Sequence, residues 1–156
     1  MNCSVGDQEL FTFCMCAGGY VMPSVSQHEH FCTNGMSRSK HESPFANSGI
    51  VLTIDPKELA GAGPIDPLIG IRYQAQMENL AYRMTRANYQ APIQWARDFL
   101  EEKKSLDKPP SSYARGVYPV NLWELLPPAL CQRIQEGLSV FDRRWNGLFL
   151  KNATIV

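Results

Sequence analysis

Residues 11–20 read FTFCMCAGGY. The run 10–16 is aromatic and β-favouring, as is YVMPSV at 20–25, and Gly18-Gly19 between them supplies the backbone freedom that a tight reversal needs. This predicts a β-hairpin and a β-rich first third. Working outward, HEHFCT (28–33) fits a third strand, and GIVLTI (49–54), bounded by Gly49 and Asp55-Pro56, fits a buried one. The intervening NGMSRSKHESPFANSG is polar and reads as a loop.

The period then changes. Across GIRYQAQMENLAYRMTR (70–86), Tyr73, Met77, Leu80, Ala81 and Met84 recur at helical spacing, with Arg72, Gln76, Asn79 and Arg83 opposite. A second helix is predicted to open at Pro92, a favourable first-turn residue, and to run through IQWARDFLEEKK until SLDKPPSSYARG breaks it. Asn121, with Glu124 three residues on, resembles a capping box for LWELL. Pro127-Pro128 ends that turn and opens another helix, in which Leu130, Ile134, Leu138 and Phe141 share a face. The closing LFLKNATIV reads as a strand expected to join the sheet of the first third, and its abrupt finish suggests a longer natural polypeptide.

A chain of 156 residues suffices for one domain that buries roughly two-thirds of its surface. Fifteen Lys and Arg balance fifteen Asp and Glu, so no global field favours nucleic acid or an anionic membrane. No apolar run approaches the roughly 20 residues that span a bilayer, and MNCSVGDQEL lacks the pattern of a secretory signal. Five cysteines, an odd number in no regular framework, fit free thiols in a reducing cytoplasm.

Three chemistries compete for the cysteines. On adjacent strands Cys14 and Cys16 could share a face with His28, His30 and Cys32 and hold zinc in a structural or binding module, although C-x-C is an uncommon zinc spacing. A C-x-C pair can also close a strained, reducible disulfide. The blander reading, favoured on the residues alone, makes both cysteines small buried hydrophobes. GAGPIDPLIG (61–70) opens as G-x-G but lacks the third glycine and carries two prolines, so it reads as a loop rather than a dinucleotide fingerprint. No G-x-S-x-G elbow occurs, and no general base can be named.

Several stretches, in order, resemble one family, the large bacterial FAD-dependent dehydrogenases also described as NAD(FAD)-utilising dehydrogenases. The family run F-x-F-C-M-C-P-G-G is matched at 11–19 with Ala17 in the proline place, T-N-G-M-S at 33–37, and N-A-N-S by FANS at 45–48. P-L-x-G-I-x-F-Q is matched at 67–74 with Tyr73 in the aromatic place, and N-Y-x-A-P-x-Q-x-x-x-D-F-L at 88–100. L-L-P-P follows at 125–128 and F-D-x-x-x-x-G at 141–147.

The resemblance implies an α+β domain like the inserted, substrate-side part of a Rossmann-type flavoprotein, with a small mostly antiparallel sheet packed by amphipathic helices. It implies a single unit over 1–156: a β-rich part with flavin-side loops (1–55), a helical part (56–145) and a terminal strand (146–156). FAD would be the cofactor of the complete protein, the Rossmann segments that hold it would be partners outside this chain, and a small molecule would be the substrate. Isolated, the chain is expected to be inactive and to bind FAD weakly or not at all. Cys14, Met15, Cys16, Gly18 and Gly19, with Asn34, Gly35, Met36 and Ser37, would lie at the isoalloxazine or substrate pocket, the glycines letting backbone approach.

Overall fold

In the computed structural model, which describes residues 1–61, 63–64 and 66–156, the strands of the first third form two separate sheets. The strands β1 (Asn2–Val5), β2 (Gln8–Cys16) and β5 (Asn47–Leu52) lie antiparallel in the order β1-β2-β5. The strands β3 (Gly19–Pro23) and β4 (Thr33–Ser37) pair only with each other, as an antiparallel ribbon. The predicted β2–β3 hairpin is therefore corrected: Gly18 does turn the chain, but into a second sheet rather than back along β2. Likewise the strand expected over 28–33 is displaced: β4 starts at the last of those residues, Thr33, and runs on to Ser37 through the stretch expected to be a loop.

Helical periodicity is realised where the stripe is long. Helix α2 (Ile69–Met84) buries Ala81 and Tyr82, and α4 (Pro128–Arg144) buries Leu130, Cys131, Leu138 and Phe141. Between them lies the largest departure from expectation. Residues 91–95 form not a helix but β6 (Ala91–Trp95), and only α3 (Ala96–Leu100) is helical.

Pro92 is tolerated in β6 because of which groups the ladder uses. Ala91 N donates to Gly116 O and Ile93 O accepts from Val120 N, so the odd residues serve the parallel neighbour β7 (Val117–Pro119). On the other side β8 (Thr154–Ile155) reaches only Trp95 and Gln94, leaving the missing N–H of Pro92 without a partner to disappoint. The chain terminus thus joins β6, not the sheet of the first third, and its strand is two residues long.

Short elements complete the frame. Helix α1 (Pro56–Ala60) is capped by Asp55 Oδ1, which accepts from Lys57 N at 2.9 Å, and ends on Gly61 at φ 57°. Glu58 of α1 accepts from Arg133 of α4 at 2.8 Å and from Gln8 of β2 at 2.6 Å, tying three elements. Asn121 caps a three-residue 3-10 turn over Leu122–Glu124 by accepting from Trp123 N. The expected loop at 61–70 includes Ala62 and Ile65, which lie outside the described residues; Gly70 falls in the first turn of α2.

Among the described residues, three apolar clusters hold these parts. Cys3, Val5 and Leu10 meet Phe141 under the first sheet, and Gly137 of α4 lets Leu10 in. Phe31, Tyr82, Ile93 and Tyr113 form the second cluster, against which Val21 of the ribbon packs. Phe99, Leu122, Cys131 and Leu138 anchor the third. Gln94, fully buried, stitches the third sheet to its surroundings: its Nε2 donates to Lys103 O at 2.7 Å and its Oε1 accepts from Leu122 N at 2.9 Å.

Candidate functional site

The nine residues singled out in the sequence gather at one end of β2, where the first sheet meets the ribbon. β2 and β5 run in register from Leu10↔Leu52 to Phe13↔Gly49, and the next pair is Cys16↔Asn47. Three steps on β2 against two on β5 leave one residue over, a β-bulge, and Cys14 absorbs it at φ 49°. At the bulge Cys14 and Met15 turn outward and Cys16 does not. Met15 is 69% exposed, Phe13 57% exposed and Cys14 exposed, while Cys16 is half-buried with its thiol 3.4 Å from the Cys14 carbonyl. The expectation that both cysteines are buried packing residues is therefore wrong for Cys14.

The turn that follows is fixed without the proline its family pattern carries. Ala17 O accepts from Ser37 Oγ at 3.4 Å and lies 2.9 Å from His41 Nδ1. Gly18 O accepts from Ser43 N at 3.3 Å, and Gly19 N donates to Phe45 O at 3.0 Å. Gly18 has φ 57°, and a Cβ there would run into the backbone carbonyl of His41. At Gly19 a Cβ would stand 2.8 Å from Cys16 Cβ and from Met36 O.

The ribbon's two faces differ. Cross-strand partners point the same way, so Val21 and Gly35 share the inner face while Tyr20, Met22, Asn34 and Met36 share the outer one. On the inner face, a Cβ on Gly35 would meet the side chain of Asn47 and, at 3.4 Å, Cys16 Sγ. Asn47 belongs to the N-A-N-S pattern and Gly35 to T-N-G-M-S, so the two stretches interlock; Asn47 Nδ2 is buried there without a hydrogen-bond partner among the described residues. On the outer face Met36 is 57% exposed and Met22 39%, Arg38 stacks 5.0 Å over the Tyr20 ring, and Asn34 Oδ1 accepts from Gly35 N.

The glycines at this junction thus serve close approach, but of the chain to itself. The space beside Gly18, Gly19 and Gly35 is filled by His41, Cys16, Met36 and Asn47. What remains accessible is Phe13, Cys14, Met15, Asn34 and Met36, a rim of apolar and soft sulfur groups with one amide. Sequence reasoning missed Tyr20 and Met22, which the ribbon register adds to the rim, and Asn47 and His41, which shape it. Only Asn47 carried a signal, its place in FANS.

His28 and His30 do not converge with Cys14 and Cys16 as zinc ligands would. His30 Nδ1 lies 2.8 Å from His28 O, and Cys32 Sγ donates to the adjacent Thr33 O. Among the described residues, no group of three or more His, Cys, Asp or Glu stands as metal ligands would. Nor is any described helix long and apolar enough to cross a membrane.

A family model described as "FAD-dependent protein, C-terminal domain-like" matches residues 1–156. The chain belongs to this family. An uncharacterized protein of Clostridium beijerinckii (strain ATCC 51743 / NCIMB 8052) is 32% identical over 148 residues, 94% of this chain but 27% of that relative. The FAD-dependent C-terminal-like domain therefore spans about a quarter of the relative's length. Its remaining sequence patterns hold structure: Gln94 bonds two backbone groups, Asp98 Oδ2 accepts from Ser105 Oγ at 2.7 Å, and Asp142 Oδ1 accepts from Leu150 N at 2.9 Å.

Proposed function

We propose that this domain is the substrate-side part of an FAD-dependent oxidoreductase, a dehydrogenase in the finer reading, with the flavin held by segments outside the 156 residues. The observation that carries the reading is the match of the whole chain to a family described as FAD-dependent. The rim suits one edge of a flat heteroaromatic group. Met15 and Met36 offer polarizable thioethers, Phe13 an aromatic face and Asn34 a polar handle.

The same residues do not suit the diphosphate of a dinucleotide. No glycine fingerprint precedes a helix, and the glycines at the junction are closed off by the chain's own atoms. The domain would therefore cover a cofactor rather than cradle it. Bound FAD supplies hydride transfer at its N5. This chain's residues would exclude water from that edge and, through the fixed 17–19 turn and the Gly35–Asn47 interlock, keep the rim in one shape.

The test has two arms. After mixing with FAD and gel filtration, the 156-residue chain should emerge without flavin absorbance, whereas tight stoichiometric flavin would contradict the division of labour. The Clostridium beijerinckii relative should carry flavin, and removing the matched region should leave that flavin bound but more readily quenched by iodide. A relative that stays colourless with added FAD would overturn the assignment.

A further inference from the structure

We propose that Cys14 and Cys16 form a redox-active dithiol that exchanges with low-molecular-weight disulfides, Cys14 as the attacking thiol and Cys16 as the resolving one. The proposal stands on the bulge and is independent of the flavin reading.

The five thiols are not equivalent. Cys3 and Cys131 are buried, and burial pushes the Cys3 thiol up from its ordinary range and Cys131 up to about 11. Cys32 is half-buried and is raised by burial and, secondarily, by Glu78. Cys14 is the exposed one. Since the thiolate is the nucleophile and access sets the rate, a soluble disulfide selects Cys14.

Cys16 is placed to follow. Its Sγ folds back to within 3.4 Å of the Cys14 carbonyl oxygen. Two residues of regular strand separate Cα atoms by about 6.4–6.8 Å, the far end of the roughly 4.4–6.8 Å that a disulfide spans. The bulge takes β2 out of that regular geometry here, with Cys14 in the left-handed region. The ring so formed is small, which makes the bond a labile one that thiols reopen.

With glutathione disulfide as the oxidant, the Cys14 thiolate attacks one of its sulfurs. The glutathione S–S bond breaks, a Cys14–glutathione bond forms and one glutathione thiolate leaves. Cys16, having given its proton to solvent, then attacks the Cys14 sulfur and expels the second glutathione. Two protein thiols lose two electrons and two protons, and one glutathione disulfide becomes two glutathione thiols.

The experiment is to treat the reduced chain with glutathione disulfide, trap with iodoacetamide and map the peptide containing residues 11–20 by mass spectrometry. The expected product is that peptide lighter by two hydrogens and unalkylated, restored by dithiothreitol. Cys14 should react at least about tenfold faster than Cys3 or Cys131, and Cys16→Ser should halt with one glutathione on Cys14. Three results would each overturn the proposal: a native chain that stops at the glutathione adduct, equal reaction at the buried cysteines, or a disulfide joining two chains. The native chain alone decides the matter if the variant does not fold.

Discussion

At the scale of single residues, the departures from the family pattern have physical readings. Tyr73 stands where the pattern has Phe, and its hydroxyl is buried with no hydrogen-bond partner among the described residues, burial also raising its pKa. A buried orphan hydroxyl costs roughly 1 kcal/mol or more. Tyr73→Phe should therefore stabilise the chain by about 1 kcal/mol, read as a higher urea midpoint at unchanged slope; a lower midpoint would mean that the hydroxyl has a partner. Gly18 poses the opposite case. Its φ of 57° and the His41 carbonyl pressed against it should make Gly18→Ala cost about 2–4 kcal/mol. Gly6, at φ 61° with open space around it, is the control and should lose only about 1 kcal/mol on the same change.

At the scale of elements, long periods were legible and short ones were not. α2 and α4 carry four or more apolar positions at helical spacing, enough to fix both type and face. β6 was hidden because Ala91, Pro92 and Ile93 suit a helix start equally well, and what decides is the neighbour, not the local residues. The second strand of the ribbon was hidden, because Asn34, Gly35 and Ser37 are weak strand formers; Gly35 is there to admit Asn47, a reason that sequence periodicity does not contain. The bulge at Cys14 is of the same kind, set by cross-strand register with β5.

Two predictions belong to this scale. Gln94→Leu would strand Lys103 O and Leu122 N together beside the central strand of the third sheet, and should cost about 2–4 kcal/mol in chemical unfolding. A cost below 1 kcal/mol would deny Gln94 its role as the link. The second concerns alkali. The Cys131 thiol is raised from 9.0 to about 11 by burial between α4 and its neighbours, so the unfolded chain releases this proton first. The stability associated with the protonated thiol is complete below the unfolded pKa and is lost as pH climbs from about 9 toward 11. Cys131→Ala should flatten stability over that window in pH-dependent thermal melts, and an unchanged alkaline slope would refute the assignment.

At the scale of the whole molecule, the apolar clusters account for the interior but leave the far end of β2 and the ribbon's outer face open. Phe13, Met15, Met22 and Met36 are all exposed there, in a chain matching 27% of its Clostridium beijerinckii relative. The open rim lies in stretches that resemble the flavoprotein family, 11–19 and 33–37. Which of those residues face outward was not legible in the sequence, because the bulge and the two-faced ribbon arise from pairing over distance. The division is plain in three dimensions: Gly35 and Cys16 face the interlock, and Met15, Asn34 and Met36 face away.

Hydrogen–deuterium exchange on the Clostridium beijerinckii relative, with and without FAD, probes that division directly. Within the region matching this chain, FAD should slow exchange in the segments that correspond to 13–22 and 33–37 and leave those corresponding to α4 unchanged. FAD-dependent protection that falls elsewhere in that region, or that is absent from it, would contradict the claim that the bulged end of β2 and the ribbon cover the cofactor.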